Sequence, residues 1–161
     1  PEELVAEIDA CFGLFDDITE KYPIEKIKTI GDAYLCVSGI PEKVENNAEV
    51  IIMAALDMKA ALNSYYKEKD EHSIKFDFRF GVHSGPLIAG VVGKKKFEYD
   101  IWGDTVNTAA RMEQSGEIGQ INISEETYQL VKDKFICIPR GKQQAKNKGM
   151  VNMYFVEGRL V

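Results

Sequence analysis

The chain has 161 residues, a length that suits one domain with a single hydrophobic core. Its composition, 45% hydrophobic and 29% charged, is that of an ordinary soluble globular protein. Its net charge of −6 excludes the broad basic field with which many proteins attract nucleic acid.

The first predicted elements are a helix and a hairpin. Apolar residues recur over residues 2–19 at the spacing of one helix face, and Pro23 ends that segment. A β-hairpin is predicted over residues 26–38, because alternating runs flank the Gly31-Asp32 pair, which suits a two-residue turn. The turn fixes the Asp32 carboxylate at a rigid tip, with Lys28 about 13 Å back along the incoming strand.

The middle of the chain predicts a second helix over residues 46–69. Alternation of apolar and polar residues then predicts a half-buried strand over 74–82, and a turn leads into a more buried strand over 87–92. Asp104 is the predicted N-cap of a helix that runs to about residue 114. In that helix Asn107 and Arg111 share a face, because they are four residues apart.

The last predicted elements are a short strand over 121–123, a helix that Ser124 caps and that runs to residue 134, and two strands near 135–138 and 153–156. The order of elements predicts an α+β sandwich with a mainly antiparallel sheet. A leading strand before Glu2 would complete a ferredoxin-like βαββαβ core. We therefore expect residues 1–161 to form one domain that lacks its first strand and carries extra α/β elements at the C-terminal end.

Two segments occur in an order that resembles a known enzyme family. They are Lys26-Ile27-Lys28-Thr29-Ile30-Gly31-Asp32-Ala33-Tyr34 and Tyr99-Asp100-Ile101-Trp102-Gly103-Asp104-Thr105-Val106-Asn107, with Arg111 following the second. Together they resemble the catalytic domain of class III nucleotidyl cyclases, which convert ATP or GTP into a cyclic 3′,5′-monophosphate. The resemblance extends from the first helix to the terminal strands.

The resemblance implies a metal site that includes Asp32. In the family, the matching aspartate is one of two that hold a pair of divalent ions, so Mg²⁺ or Mn²⁺, two per site, is the expected cofactor. The other aspartate lies in a motif roughly forty residues upstream that residues 1–31 do not contain. On its own, Asp32 is equally typical of a turn aspartate bonded to its own backbone.

The resemblance also implies which base is bound. The family's lysine and aspartate at the positions of Lys28 and Asp100 read the purine edge, where a lysine donates to adenine N1 and an aspartate accepts from the exocyclic amine. Guanylyl cyclases carry glutamate and a small cysteine or serine instead. The pair therefore implies ATP, although each residue alone is typical of a surface strand or a loop.

Three further residues take roles from the resemblance. Asn107 orients the ribose, Arg111 stabilises charge on the α-phosphate, and Lys146 reaches the triphosphate. Asn147 stands where the family has glycine, and asparagine tolerates a left-handed backbone better than most residues. Outside this set, His83 is interpreted as structural, and the glycine-rich segment 90–93 as a site of close packing at a dimer seam.

The resulting hypothesis is an adenylyl cyclase domain that forms a homodimer with its sites at the interface, fused to or associated with regulatory domains. The alternatives are a guanylyl cyclase and a catalytically incomplete dimerisation or regulatory domain.

No apolar run is long enough to span a bilayer and no signal peptide is evident. The widely spaced Cys11, Cys36 and Cys137 favour free thiols in a reducing compartment. We therefore expect a cytoplasmic domain, which a larger and even membrane-anchored protein could carry.

Overall fold

The computed structural model describes residues 1–161 as four helices and eight strands. In chain order they are α1 (Glu2–Thr19), β1 (Glu25–Ile30), β2 (Ala33–Val37), α2 (Asn47–Lys67), β3 (Phe80–Val82), β4 (Ile88–Val92), β5 (Glu98–Trp102), α3 (Asp104–Gln114), β6 (Ile121–Ser124), α4 (Glu125–Val131), β7 (Phe135–Ala145) and β8 (Gly149–Arg159). No helix is both long enough and apolar enough to cross a membrane.

The strands form one four-stranded sheet and two separate hairpins. The sheet has the order β3-β6-β8-β7, in which β3 and β6 run parallel and the other neighbours antiparallel. The hairpins are β1–β2 and β4–β5, both antiparallel. The α+β class and the mainly antiparallel pairing predicted from the sequence are confirmed.

Two apolar clusters hold the helices in place. In the larger cluster, α2 packs on the central strands through fully buried residues that include Ile52, Ile121 and Val156. In the second, the apolar face of α1 packs on α2, with Phe15 and Met58 both buried. The periodic spacing read from the sequence therefore corresponds to real buried faces on both helices.

The predicted strand over residues 74–82 is wrong for most of its length, because only Phe80–Val82 pairs with a neighbour. Phe76 and Phe78 still turn toward the core, where the Phe78 ring lies 5.3 Å from the ring of Phe15. The alternation of apolar and polar residues thus indicates which side chains face inward, whereas a strand also needs a hydrogen-bonding partner. A cavity of about 850 Å³ lies between this segment and β2 and is lined by residues of both.

Three other differences concern element boundaries. The strand β5 was not predicted, and β7 and β8 extend well beyond the short segments expected for them. The helix α4 ends at Val131 rather than at residue 134. The strands take these bounds by pairing with the neighbouring strand of a hairpin, β5 with β4 and β7 with β8.

Candidate functional site

The tip of the first hairpin carries Asp32. Gly31 adopts a left-handed backbone with φ of +58°, and Ile30 pairs with Ala33 across the turn. Glycine suits this position because it adopts positive φ without steric cost. As a result Asp32 is exposed at the tip and borders the cavity beside β2.

The two hairpins are joined by Lys28 on β1 and Asp100 on β5. Lys28 Nζ donates to Asp100 Oδ2 at 2.9 Å. Asp100 Oδ1 accepts from the backbone N–H of Ile101 at 2.8 Å. The hydrogen bond from Lys28, together with that from Ile101, lowers the pKa of Asp100. The side chain of Asp100 is 17% exposed and that of Lys28 is 40% exposed, so the carboxylate is the more enclosed partner.

The helix α3 begins at Asp104, which corrects the prediction that Asp104 caps it. The residue before the helix is Gly103, with φ of +125°, and no side chain caps the first turn. The Asp104 carboxylate instead forms an ion pair with Lys148. Farther along the helix Asn107 is exposed, and Arg111 Nη1 donates to Gln114 Oε1 at 3.0 Å.

Gly81 allows α3 to lie against β3, a role that the sequence did not reveal. A Cβ atom on Gly81 would lie 2.1 Å from the backbone nitrogen of Glu113 and 2.7 Å from the carbonyl oxygen of Ala109. No side chain fits there without moving the helix. The signal was present as a glycine inside a short apolar strand, a pattern that marks close backbone approach.

The turn between β7 and β8 carries Lys146, which is exposed. Asn147 has φ of +63°, as expected for a left-handed position, and the N–H of Lys148 donates to the Ala145 carbonyl at 3.0 Å. Lys146 and Asn147 thus lie in a tight turn between two long strands. One of its lysines is exposed at the tip, and the other is paired with α3.

His83 packs at the end of β3. Its Nδ1 lies 2.7 Å from the hydroxyl of Ser124, which also caps α4 by accepting from the N–H of Thr127 at 3.3 Å. Burial lowers the pKa of His83 and favours the neutral ring. These contacts fit the interpretation of His83 as structural, and they confirm Ser124 as a cap.

The donor set suits part of a metal site. Mg²⁺ takes one or two carboxylates from a protein and fills its other positions with water and phosphate oxygens, so an exposed Asp32 fits one such ligand. The chain contains no group of three or more His, Cys, Asp or Glu side chains arranged to hold an ion. Asp32 alone therefore does not form a complete two-ion site.

The structure brings together only some of the expected site residues. Lys28 and Asp100 are in direct contact, although they lie 72 residues apart in the sequence. Asn107 and Arg111 share α3, as expected from their spacing. Asp32 and Lys146 lie at the tips of two different hairpins, and neither forms an ion pair.

Comparison with known proteins gives a consistent result. The sequence pattern of the adenylate and guanylate cyclase catalytic domain matches residues 1–158. An adenylate cyclase of Mycobacterium tuberculosis is 38% identical over 161 residues, which are all of this chain and 36% of that protein. Guanylate cyclase 32E of Drosophila melanogaster is 40% identical over 163 aligned residues, covering 99% of this chain and 14% of that protein.

Among solved structures, the guanylate cyclase domain of RhGC from Catenaria anguillulae in complex with GTP superimposes with a TM-score of 0.91. It is 36% identical, and the match covers 99% of this chain and 86% of that one. The present chain spans about a third or less of the length of the curated relatives above. Adenylate and guanylate cyclases are similarly close, so overall identity does not separate the two substrates.

Proposed function

The chain belongs to the adenylate and guanylate cyclase catalytic domain family, and we propose that it acts as an adenylyl cyclase domain. The proposed reaction converts ATP into 3′,5′-cyclic AMP and pyrophosphate. The observation that carries the choice of ATP is the contact of 2.9 Å between Lys28 and Asp100.

The base preference follows from hydrogen-bond chemistry. Adenine presents an acceptor at N1 and a donor at its exocyclic amine, whereas guanine presents a donor at N1 and an acceptor at O6. A lysine can only donate and an ionised aspartate can only accept, so the pair complements adenine and opposes guanine. The lowered pKa of Asp100 keeps this carboxylate ionised and accepting.

In the proposed reaction the ribose 3′-oxygen forms a bond to the α-phosphorus, and the bond from that phosphorus to the bridging oxygen of pyrophosphate breaks. Asn107 orients the ribose, Arg111 stabilises charge on the α-phosphate oxygens, and Lys146 binds the triphosphate. When two Mg²⁺ or Mn²⁺ ions are bound, with Asp32 as one ligand, they supply activation of the 3′-hydroxyl and charge neutralisation on the phosphates.

The proposed active form is a homodimer with the nucleotide at its interface. Asp32 would come from one copy, and Lys28, Asp100, Asn107, Arg111 and Lys146 from the other. The hairpin β4–β5 supports an association surface, because its apolar side chains are open to solvent: Ile88 is 68% exposed, Val91 64% and Trp102 40%. Such a patch on a protein surface commonly marks an interface.

We also propose that residues 1–161 are one domain whose core includes a further strand from upstream. The cavity between β2 and residues 76–79 supports this, because extended backbone without strand partners borders it on one side. A strand there would pair with both walls, and it could supply the second metal carboxylate. The greater length of the curated relatives suggests that further domains, in a regulatory role, accompany this one. The three free cysteines support a reducing compartment such as the cytoplasm.

The test is cyclic nucleotide formation from ATP and from GTP, in separate reactions with Mg²⁺ or Mn²⁺. It compares the 161-residue chain with a version extended upstream by about forty residues, which would include the other metal aspartate because the family places it roughly forty residues before the position of Asp32. Formation of cyclic AMP by the extended chain is the expected result. Formation of cyclic GMP alone would favour the guanylyl cyclase. If neither form makes a cyclic nucleotide at protein concentrations where the chain is dimeric, the result would favour the catalytically incomplete regulatory domain.

A further inference from the structure

The turn between β7 and β8 is attached to α3 at its base. Ala145 and Met112 are both essentially fully buried and share a cluster with Met153. One residue earlier, the carbonyl of Gln144 accepts from the hydroxyl of Ser115 at 3.1 Å. The end of β7 is therefore fixed to the C-terminal half of α3.

The same turn is attached to α3 a second time, at the opposite end of the helix. Lys148 forms an ion pair with Asp104, the first residue of α3. The side chain of Lys148 is only 26% exposed, so it lies against the protein rather than in solvent. A carboxylate in the first turn also interacts favourably with the helix dipole, and the hydrogen bond from Lys148 lowers the pKa of Asp104.

These two attachments define where the tip lies. Asp104 and Ser115 are eleven residues apart, about 16 Å along the helix axis. Gln144 and Lys148 are four positions apart, which is at most about 13 Å in a fully extended chain, and the tight turn between them makes their separation shorter. The Lys148 side chain covers the remaining distance to Asp104, so the turn lies between the two ends of α3, with Lys146 between its two attachments.

The middle of α3 carries Asn107 and Arg111. Asn107 directly precedes Thr108, and Arg111 directly precedes Met112; Thr108 and Met112 are the buried residues of α3. Successive residues of a helix are rotated by about 100°, so Asn107 and Arg111 project about 100° away from this buried face. The attached turn thus borders the surface from which Asn107 and Arg111 project. Without the ion pair, the tip would be fixed only at its base.

We propose that Asp104 and Lys148 are positioning residues that hold Lys146 beside Asn107 and Arg111. The inference rests on the proposed function, because it assumes that Lys146 binds the phosphates of a nucleoside triphosphate. Lysine is a flexible point charge, so the backbone that carries it determines where the charge is available. A displacement of about 1 Å in such a group can cost on the order of 100-fold in rate.

The first test is a double-mutant cycle on turnover of ATP by the full-length protein. Asp104→Asn and Lys148→Gln should each reduce kcat/KM about tenfold or more, an effect in the range of a misplaced phosphate ligand. In a Lys146→Ala background, neither substitution should reduce kcat/KM further. The double variant with exchanged charges, Asp104→Lys with Lys148→Asp, should recover part of the loss. Lys43→Gln is the matched control, because it breaks the exposed pair with Glu45. Equal losses with and without Lys146 would overturn the proposal.

The second test needs no substrate. Hydrogen exchange at the backbone amides of residues 146–148 should accelerate in Asp104→Asn and Lys148→Gln, while amides in β6 keep their protection. Unchanged exchange at the tip would overturn the positioning role. If the wild-type protein makes no cyclic nucleotide, the proposed function fails, and the exchange result still decides whether the ion pair fixes the turn.

Discussion

Lys28 Nζ lies 2.9 Å from Asp100 Oδ2, so a single ion pair joins the β1–β2 hairpin to the β4–β5 hairpin. The two side chains proposed to read the purine are in direct contact with each other. Each satisfies the other, so neither charge is left unpaired where the protein partly covers it. In the proposed site, a base that contacts this pair would share or replace this hydrogen bond, so its pattern of donors and acceptors would matter.

Replacement of both Lys28 and Asp100 should change which base the protein prefers. Lys28→Glu combined with Asp100→Cys should lower the ratio of kcat/KM for ATP to that for GTP by about 100-fold or more, because sites built on hydrogen bonds discriminate strongly. The measurement is parallel turnover of both nucleotides. Lys26 lies on the same strand as Lys28 and provides the control. Lys26→Glu breaks its ion pair with Asp16 of α1. A wild-type preference for GTP would contradict our assignment.

Asp32→Asn should abolish most turnover without changing stability. The carboxylate is exposed at the hairpin tip, and surface substitutions of this kind usually change the free energy of unfolding by less than about 0.5 kcal/mol. Loss of a metal ligand should instead raise the Mg²⁺ or Mn²⁺ concentration needed for half-maximal rate. Titration of each ion, with Asp17→Asn on the exposed side of α1 as control, measures this. An unchanged metal dependence would remove Asp32 from the site.

Arg111→Ala should reduce kcat about 100- to 1000-fold with a smaller effect on KM, as expected for a donor that acts on charge in the transition state. Arg111→Lys should recover little, because an ammonium does not reproduce the planar guanidinium. Steady-state kinetics on ATP provide the measurement. Gln114→Ala is the control, since it removes the residue to which Arg111 donates at 3.0 Å. An effect confined to KM would indicate simple binding.

The lowered pKa of His83 predicts that the free energy of unfolding depends on pH. Burial lowers its pKa below the value of about 6.5 in an unfolded chain, so between those two values the unfolded state binds more protons than the folded state. The free energy of unfolding should therefore rise with pH through that window and show no further contribution from His83 above it. Urea unfolding at several pH values, in wild type and His83→Gln, should show a shallower slope in the variant. Equal slopes would contradict this prediction.

Gly81→Ala should destabilise the fold by about 1–3 kcal/mol or more, because its Cβ would overlap the backbone of α3 at 2.1 Å. Gly13→Ala should instead be neutral or stabilising by about 0.5–1 kcal/mol, since that helical position has nothing within 4 Å of a new Cβ. Denaturant unfolding of the two variants tests the pair. Similar losses would show that β3 and α3 are not as close as described.

Local signals in the sequence predicted much of the fold. The Gly31-Asp32 turn, the apolar face of α1 and the Ser124 cap depend on neighbouring residues, and the structure confirms all three. The strand β5 depends on pairing with β4, and residues 74–79 do not form a strand because they have no strand partner. No local pattern reports whether such a partner is present.

The site shows the same division. The spacing of Asn107 and Arg111 placed them on one helix, but only the family resemblance linked Lys28 with Asp100 across 72 residues. The pair of Asp104 and Lys148, 44 residues apart, had no signal in the sequence beyond two opposite charges. Tertiary contacts between hairpins and helices therefore set most of the geometry that matters for chemistry.

If the pair reads the purine as proposed, the unequal exposure of Lys28 and Asp100 also constrains how base preference can evolve. If Lys28 were lost first, the carboxylate, only 17% exposed, would be left partly buried without its partner. If Asp100 were lost first, the longer lysine, 40% exposed, could turn its ammonium into water. A lineage that moves from one purine to the other therefore has an easier first step at position 100 than at position 28. Ancestral intermediates should carry the lysine together with a small neutral residue.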